Sequence, residues 1–243
     1  MSKPTSRPNR AKLQARPYRP ADRAGVRHVC CETAFAGGAV EPLFPDRDAF
    51  ADFFTRYYTD WEPETAFVAE LDGEVVGYVI GCVRPRRYAF VQPLILLLFT
   101  VPKVVWRFVT GRYGKAARRF LRWFVTRSWR ETPKAPKGAA HFHFNAVAGN
   151  RNTGAMLALF KLFYQRLQES GVDTVYGQIQ TGAGGEDSRR SEKLFARWGF
   201  HPYDRRRVSK FDALKDEEVY VTTLVHEVRR GGGDGLAVPK EAS

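Results

Sequence analysis

The sequence predicts an α/β fold of the α+β kind, with a mixed sheet carrying helices on its faces. Three observations point there. Apolar runs of strand length alternate along the chain with apolar stripes at helical spacing. TAFVAELDGEVVGYVIGCV (65–83) sets two such runs around Asp72-Gly73, the signal of a short hairpin. AHFHFNAV (140–147) leads through a glycine-bearing turn into the stripe Met156, Leu159, Phe160, Phe163 and Leu167, a strand–turn–helix unit.

The elements follow in order. QARPYRP (14–20) reads as a first strand. Ala21 to Phe35 reads as a helix with Asp22 as its cap. PDRDAFADFFTRYYTDW (45–61) is a second helix, opened by Pro45 and Asp46, with Phe50, Phe53, Phe54, Tyr57 and Tyr58 at helical spacing. The hairpin comes next, and residues 84–138 then break the pattern. After strand 140–147, the helix closes near Gly171, and VDTVYGQIQ (172–180) is strand-like. A Gly-rich loop (181–185) precedes a short helix, SRRSEKLFARW, and Gly199-Phe200. VSKFDAL (208–214) and VYVTTLVHEV (219–228) read as the last strands. One domain is expected over 14–228, between a disordered leader (1–13) and a disordered tail (229–243).

Length and composition agree: 243 residues at 44% hydrophobic content suit one domain with a large insertion. Cys30, Cys31 and Cys82 show no CxxC spacing, which argues against a disulfide framework or a cysteine zinc site and reads as cytoplasmic. The net charge of +13 is unevenly placed. Twelve of the 39 Lys and Arg lie between Arg84 and Arg130, where there is no Asp or Glu, so the rest is close to neutral.

The turn at 149–156 carries the first chemistry. A glycine-bearing turn between strand and helix gathers backbone N–H groups at the positive end of a helix dipole, which suits a pyrophosphate. Gly154 permits close approach, Arg151 adds charge, and Asn152 and Thr153 are cap residues whose side chains also suit phosphate. The alternative is an ordinary capped turn.

The wider stretch resembles the acetyl-CoA-binding motif of the GNAT acetyltransferase superfamily. That motif runs Arg or Gln, two residues, Gly, one residue, then Gly or Ala; Arg151, Asn152, Thr153, Gly154, Ala155 and Met156 stand in those places. QESGVDTVYGQI, SEKLFARWGF and the hairpin FVAELDGEVVGYVIG resemble further parts of the family, in the family's order. HFHFNAVAGNR is similar to the subgroup that resembles the acetyltransferase-like domain of O-GlcNAcases. The resemblance covers about residues 14–83 and 139–228. It implies a mainly antiparallel central sheet with helices on both faces, and a helical insertion. It further implies acetyl-CoA as cofactor, lying in a splay between strands 141–147 and 172–180. Its pantetheine would pair with the backbone near Ala146 and Val147, and its pyrophosphate would take the amides of Asn152 to Met156. Ser188 stands where the family often has a CoA-contacting Asn. Three places depart from the pattern: Met156 replaces Gly or Ala, Phe195 stands where many members have a thiolate-protonating Tyr, and strand 141–147 has no acid.

On a strand, His141, His143 and Asn145 share one face, while Phe142 and Phe144 share the other. Beside a thioester this polar row is a candidate proton-handling site, with His143 as base directly or through water. The competing reading is three polar residues satisfying a half-buried face. Metal is not expected, since HxH has no third ligand at matching spacing.

The segment 84–130 admits three readings. Its run Leu94–Val101 is shorter than the ~20 residues a bilayer needs, and Pro93, Pro102, Lys103 and Arg107 interrupt what surrounds it. Its second half is amphipathic as a helix, with Tyr113, Ala117, Phe120 and Phe124 opposite Arg112, Lys115, Arg119 and Arg122. It suits an anionic membrane surface, a packed lid, or a homodimer contact. Nucleic acid is not expected, for want of a recognition motif. Together these features predict an acetyl-CoA-dependent N-acetyltransferase acting on a primary amine by direct attack. The alternatives are a weakly catalytic CoA- or membrane-binding module of the same fold, and a lipid-surface adaptor built on 84–130.

Overall fold

The computed structural model describes residues 13–35, 37–150, 154–182 and 186–228, with the backbone alone at 186–191. The expected leader, but for Leu13, and the expected tail lie outside these residues. Seven strands form one sheet: β1 (Leu13–Pro17), β2 (Ala66–Leu71), β3 (Glu74–Cys82), β4 (Ala140–Ala146), β5 (Thr174–Gly182), β6 (His201–Arg207) and β7 (Val219–Glu227). Their order is β1-β2-β3-β4-β5-β7-β6. Every neighbouring pair is antiparallel except β4 and β5, which the helix α7 (Gly154–Glu169) connects as a parallel crossover.

Local chemistry explains most elements. Asp72 and Gly73 both take positive φ, 52° and 90°, closing the β2–β3 hairpin as expected. The Asp46 carboxylate accepts the Ala49 N–H at 3.1 Å and caps α2 (Arg47–Asp60). Asp22 behaves otherwise. It makes no side-chain cap to α1 (Arg23–Glu32); its carboxylate instead takes the Arg19 N–H and the Arg16 guanidinium, each at 2.7 Å. The C-terminal strands also differ from expectation. VYVTTLVHEV supplies β7, but VSKFDAL contains a 3-10 turn at Ser209–Phe211, and HPYDRRR is the strand beside β7. As an edge strand exposed along most of its length, β6 shows no apolar alternation to read. Phe211 is buried with Leu43, Val208 and Val219, so its apolarity serves an anchor rather than a ladder.

Two layers cover the sheet. On one face α7 and α8 (Glu186–Arg197) bury Met156, Leu159, Phe160, Phe163 and Phe195 against Phe142 and the hairpin strands. Glycines of β3 make this contact close: a Cβ on Gly81 would sit 2.3 Å from the Phe163 ring, and one on Gly77 would sit 2.8 Å from Cε of Met156. On the other face lie α1, α2 and the insertion, around Val26, Tyr57, Tyr58, Tyr78 and Ile80.

The insertion is helical: α3 (Pro85–Ile95), a π turn (Leu96–Thr100), α4 (Val101–Val109), α5 (Lys115–Thr126) and α6 (Ser128–Glu131). The prolines do not interrupt it as expected. Pro85 to Val109 is one continuous helix of 25 residues, long and apolar enough to cross a membrane. Pro93 lacks a ladder donor, and the wide π turn just beyond it absorbs the mismatch. Pro102 opens α4 directly after that π turn, so its missing N–H falls where the helical register already changes. The helix is held along α2: the Gln92 amide donates to the Phe53 carbonyl at 3.0 Å, Lys103 meets Asp52 at 3.1 Å, and Arg107 pairs with Asp46.

Candidate active site

β4 and β5 pair only over Ala140–Phe142 against Val175–Gly177. Beyond Phe142 the pairing stops, although β4 runs on to Ala146 and β5 to Gly182. Each stays bonded on its other edge, β4 to β3 and β5 to β7, so the sheet opens between two intact halves. On the α7–α8 side the opening holds a cleft of about 300 Å³, counting its mouth, lined by Phe142, Phe144, Gly177, Gln178, Ile179, Phe195, Phe200 and Leu224.

Backbone register decides which groups look into the gap. The Val147 N–H donates to the Val76 carbonyl at 3.0 Å. Such bonds recur at every second residue of an antiparallel pair, so His143 and Asn145 turn their backbone groups to β3 while Phe144 and Ala146 turn theirs to the gap. Val147 therefore spends on β3 the amide expected to serve a pantetheine. Phe144, which sequence reading passed over, stands in the better position.

The N-terminus of α7 lies at Gly154. Its first-turn N–H groups have no acceptor within the helix. Among the described residues, a Cβ on Gly154 would meet nothing within 4 Å. Ala155 is buried. Met156 is 3% exposed and turned onto Gly77, so its side chain packs into the core. The expected contacts of Arg151, Asn152 and Thr153 lie outside the described residues, as does the side chain of Ser188. Phe195 does line the cleft, as a ring without a hydroxyl. Farther along the same face, the buried hydroxyls of Thr181 and Thr222 find no hydrogen-bond partner among the described residues. An elongated ligand with amide and anionic parts fits this arrangement: an aromatic cleft, hydroxyls without a partner among the described residues, and a helix that opens on glycine.

The histidines stand on the opposite face. Tyr58 of α2 places its hydroxyl 2.8 Å from Nε2 of His141 and 3.1 Å from Nε2 of His143. Asn145 donates from Nδ2 to the Tyr78 hydroxyl at 2.7 Å. His141 is 7% exposed and enclosed by Tyr58, Tyr88 and Tyr176; His143 keeps partial access to solvent. Burial pushes His143 down to about 4. Burial, reinforced by its neighbour His143, pushes His141 down to about 3. Both imidazoles are therefore neutral at pH 7. Burial holds the Tyr58 hydroxyl well above its ordinary range, so it stays protonated. Sequence reading placed the histidines on one face but missed the tyrosines. Tyr57 and Tyr58 read there only as part of an apolar helical stripe, and Tyr88 sits in a segment that broke the pattern.

A sheet opened between its one parallel pair, with an aromatic cleft on one face and a polar row on the other, defines an acyltransferase-type architecture. The chain has the fold of the GNAT N-acetyltransferases. Among solved structures it is similar to SsHAT, with 25% identity and a TM-score of 0.58, covering 90% of this chain and 99% of that one. An N-acetyltransferase from Staphylococcus aureus Mu50 shares the fold at 13% identity and a TM-score of 0.51, covering 90% and 99%. No family model matches the sequence, and no curated protein does.

Proposed function

We propose that the chain is an acetyl-CoA-dependent N-acetyltransferase that acetylates a primary amine by direct attack. The observation that carries this is the parting of β4 from β5 beyond Phe142, where His143 and Asn145 look out on the face opposite the cleft. A ligand in the cleft and an acceptor on the histidine face would meet through that gap. Acetyl-CoA supplies an activated thioester. Phe144 and Ala146 present the strand edge beside it, the α7 N-terminus receives its phosphates, and Phe142 and Phe195 exclude water from the cleft.

On the other face, Asn145 and His143 hold the amine. A neutral imidazole accepts a hydrogen bond from the nitrogen, and takes its proton directly or through water as bond formation makes the nitrogen acidic. His141 is too enclosed to touch an acceptor and acts through Tyr58, as a positioning residue. The test is calorimetry with acetyl-CoA followed by thiol release across a panel of amines. Saturable binding and amine-dependent release support the reading; absence of binding at saturating cofactor sinks it.

A second reading rests on Phe195 and on the absence of an acid from β4. These favour a CoA-binding module with little turnover. It predicts acetyl-CoA binding without thiol release on any amine of the panel.

A further inference from the structure

The insertion shows two unlike faces. Its inner face joins the core through Ile95, Tyr113 and Ala117. Thirteen of the fifteen exposed large apolar side chains found among the described residues lie in the insertion, ten of them on helix 85–109. Phe90, Leu94, Leu97, Leu98, Val101 and Val105 form a stripe along the helix, with Phe90 at 71% and Leu98 at 64% exposure. Together these six side chains expose roughly 500 Å², at the upper end of the largest patch on an ordinary monomer and a size that marks an interaction site.

Charge decides what covers the stripe. Residues 84–130 hold twelve Lys and Arg and no acid. Arg84, Lys103 and Arg107 are matched by Glu64, Asp52 and Asp46. Arg86 and Arg87 stand exposed at one end of the helix, and Arg112 and Lys115 just beyond the other. A second copy of this chain, set face to face, would bring cations against cations. An anionic lipid surface offers acyl chains to the stripe and headgroups to both ends. Depth follows from the inner face. Spanning the bilayer would pull Lys103 and Arg107 from their carboxylates into hydrocarbon, whereas lying in the interface keeps both pairs.

We infer that the outer face of helix 85–109 docks in the plane of an anionic membrane, stripe in the acyl region and basic ends among the headgroups. The full chain, without acetyl-CoA, is sedimented with vesicles of phosphatidylcholine alone or mixed with phosphatidylglycerol, so failure here is distinct from failure of the transferase reading. Expected are sedimentation with the mixed vesicles, weakening with salt, and a blue shift of tryptophan emission from Trp106. The double substitution Leu97→Glu/Leu98→Glu should lower vesicle affinity at least about tenfold with circular dichroism unchanged. Arg86→Glu/Arg87→Glu, a second exposed pair, should abolish the preference for anionic vesicles. No sedimentation, or equal sedimentation of wild type and both variants, overturns the proposal. So does a wild-type dimer in lipid-free buffer that the Leu97/Leu98 variant converts to monomer, since the stripe is then a subunit interface.

Discussion

Tyr88, in the first turn of the insertion, meets His141 edge-on, with ring centroids 4.5 Å apart. The insertion, which adds no strand to the sheet, thus supplies part of the wall around its buried histidine. Tyr88→Ala should destabilise the fold by roughly 2–3 kcal/mol through lost packing. It should also raise the His141 pKa toward its ordinary value by admitting water. Denaturant melts and an NMR titration of the imidazole check both.

The histidines set an acid response of definite sign. An unfolded chain takes up protons on histidine near pH 6.5, whereas in the fold His143 stays neutral to about 4 and His141 to about 3. Protons therefore favour the unfolded chain between these limits, and stability should fall as pH drops through that window. His143→Gln should flatten part of that decline. In turnover, no limb of the pH profile between 5 and 8 should belong to His143; a limb that vanishes in the Gln variant would contradict its low pKa.

Asp46 and Asp52 bind the insertion to α2. Burial alone would raise both, but Arg107 and Tyr113 on Asp46, and Arg27 and Lys103 on Asp52, outweigh it and hold both below the ordinary carboxylate range. Their contribution is present at neutral pH and lost only as pH falls below about 4. Asp46→Asn should cost about 2 kcal/mol and speed hydrogen exchange across 101–109 ahead of the sheet.

Gly77 and Met156 should couple. Gly77→Ala forces its Cβ toward the Met156 thioether and should cost about 1–3 kcal/mol. Met156→Ala leaves a cavity and should cost at least about 2 kcal/mol. The pair together should cost less than the sum, by at least about 0.5 kcal/mol in a double-mutant cycle.

Gly154→Val places a branched side chain on the first residue of α7. It should weaken acetyl-CoA binding by about tenfold or more, read by calorimetry, with the melting temperature little changed. Unaltered affinity would remove Gly154 from the proposed cofactor surface.

The sequence was most legible where a signal was local. The Asp72-Gly73 hairpin, the helix start at Asp46 and the α7 stripe each rest on residues a few positions apart, and each formed as read. It was least legible where distant residues decide. The partner of His141 and His143 is Tyr58, more than eighty positions away on another element. Pro93 and Pro102 read as breaks, yet packing along α2 carries the helix through both. Strand β6 escaped notice because a solvent-facing edge needs no apolar pattern. Met156 departs from the family's pattern in the sequence, and the Gly77 of β3 that it packs against lies far from it along the chain.

Tyr58 has a single hydroxyl hydrogen and stands between two Nε2 atoms. If it donates to one ring, the other ring must offer its own hydrogen in return. The tautomers of His141 and His143 are thereby locked in opposition, and neither ring can switch alone. A hydrogen exchanged by one ring must be answered by the other through Tyr58, while an added positive charge stays on His143, the less depressed of the two. The pair shares its hydrogens but not its charge.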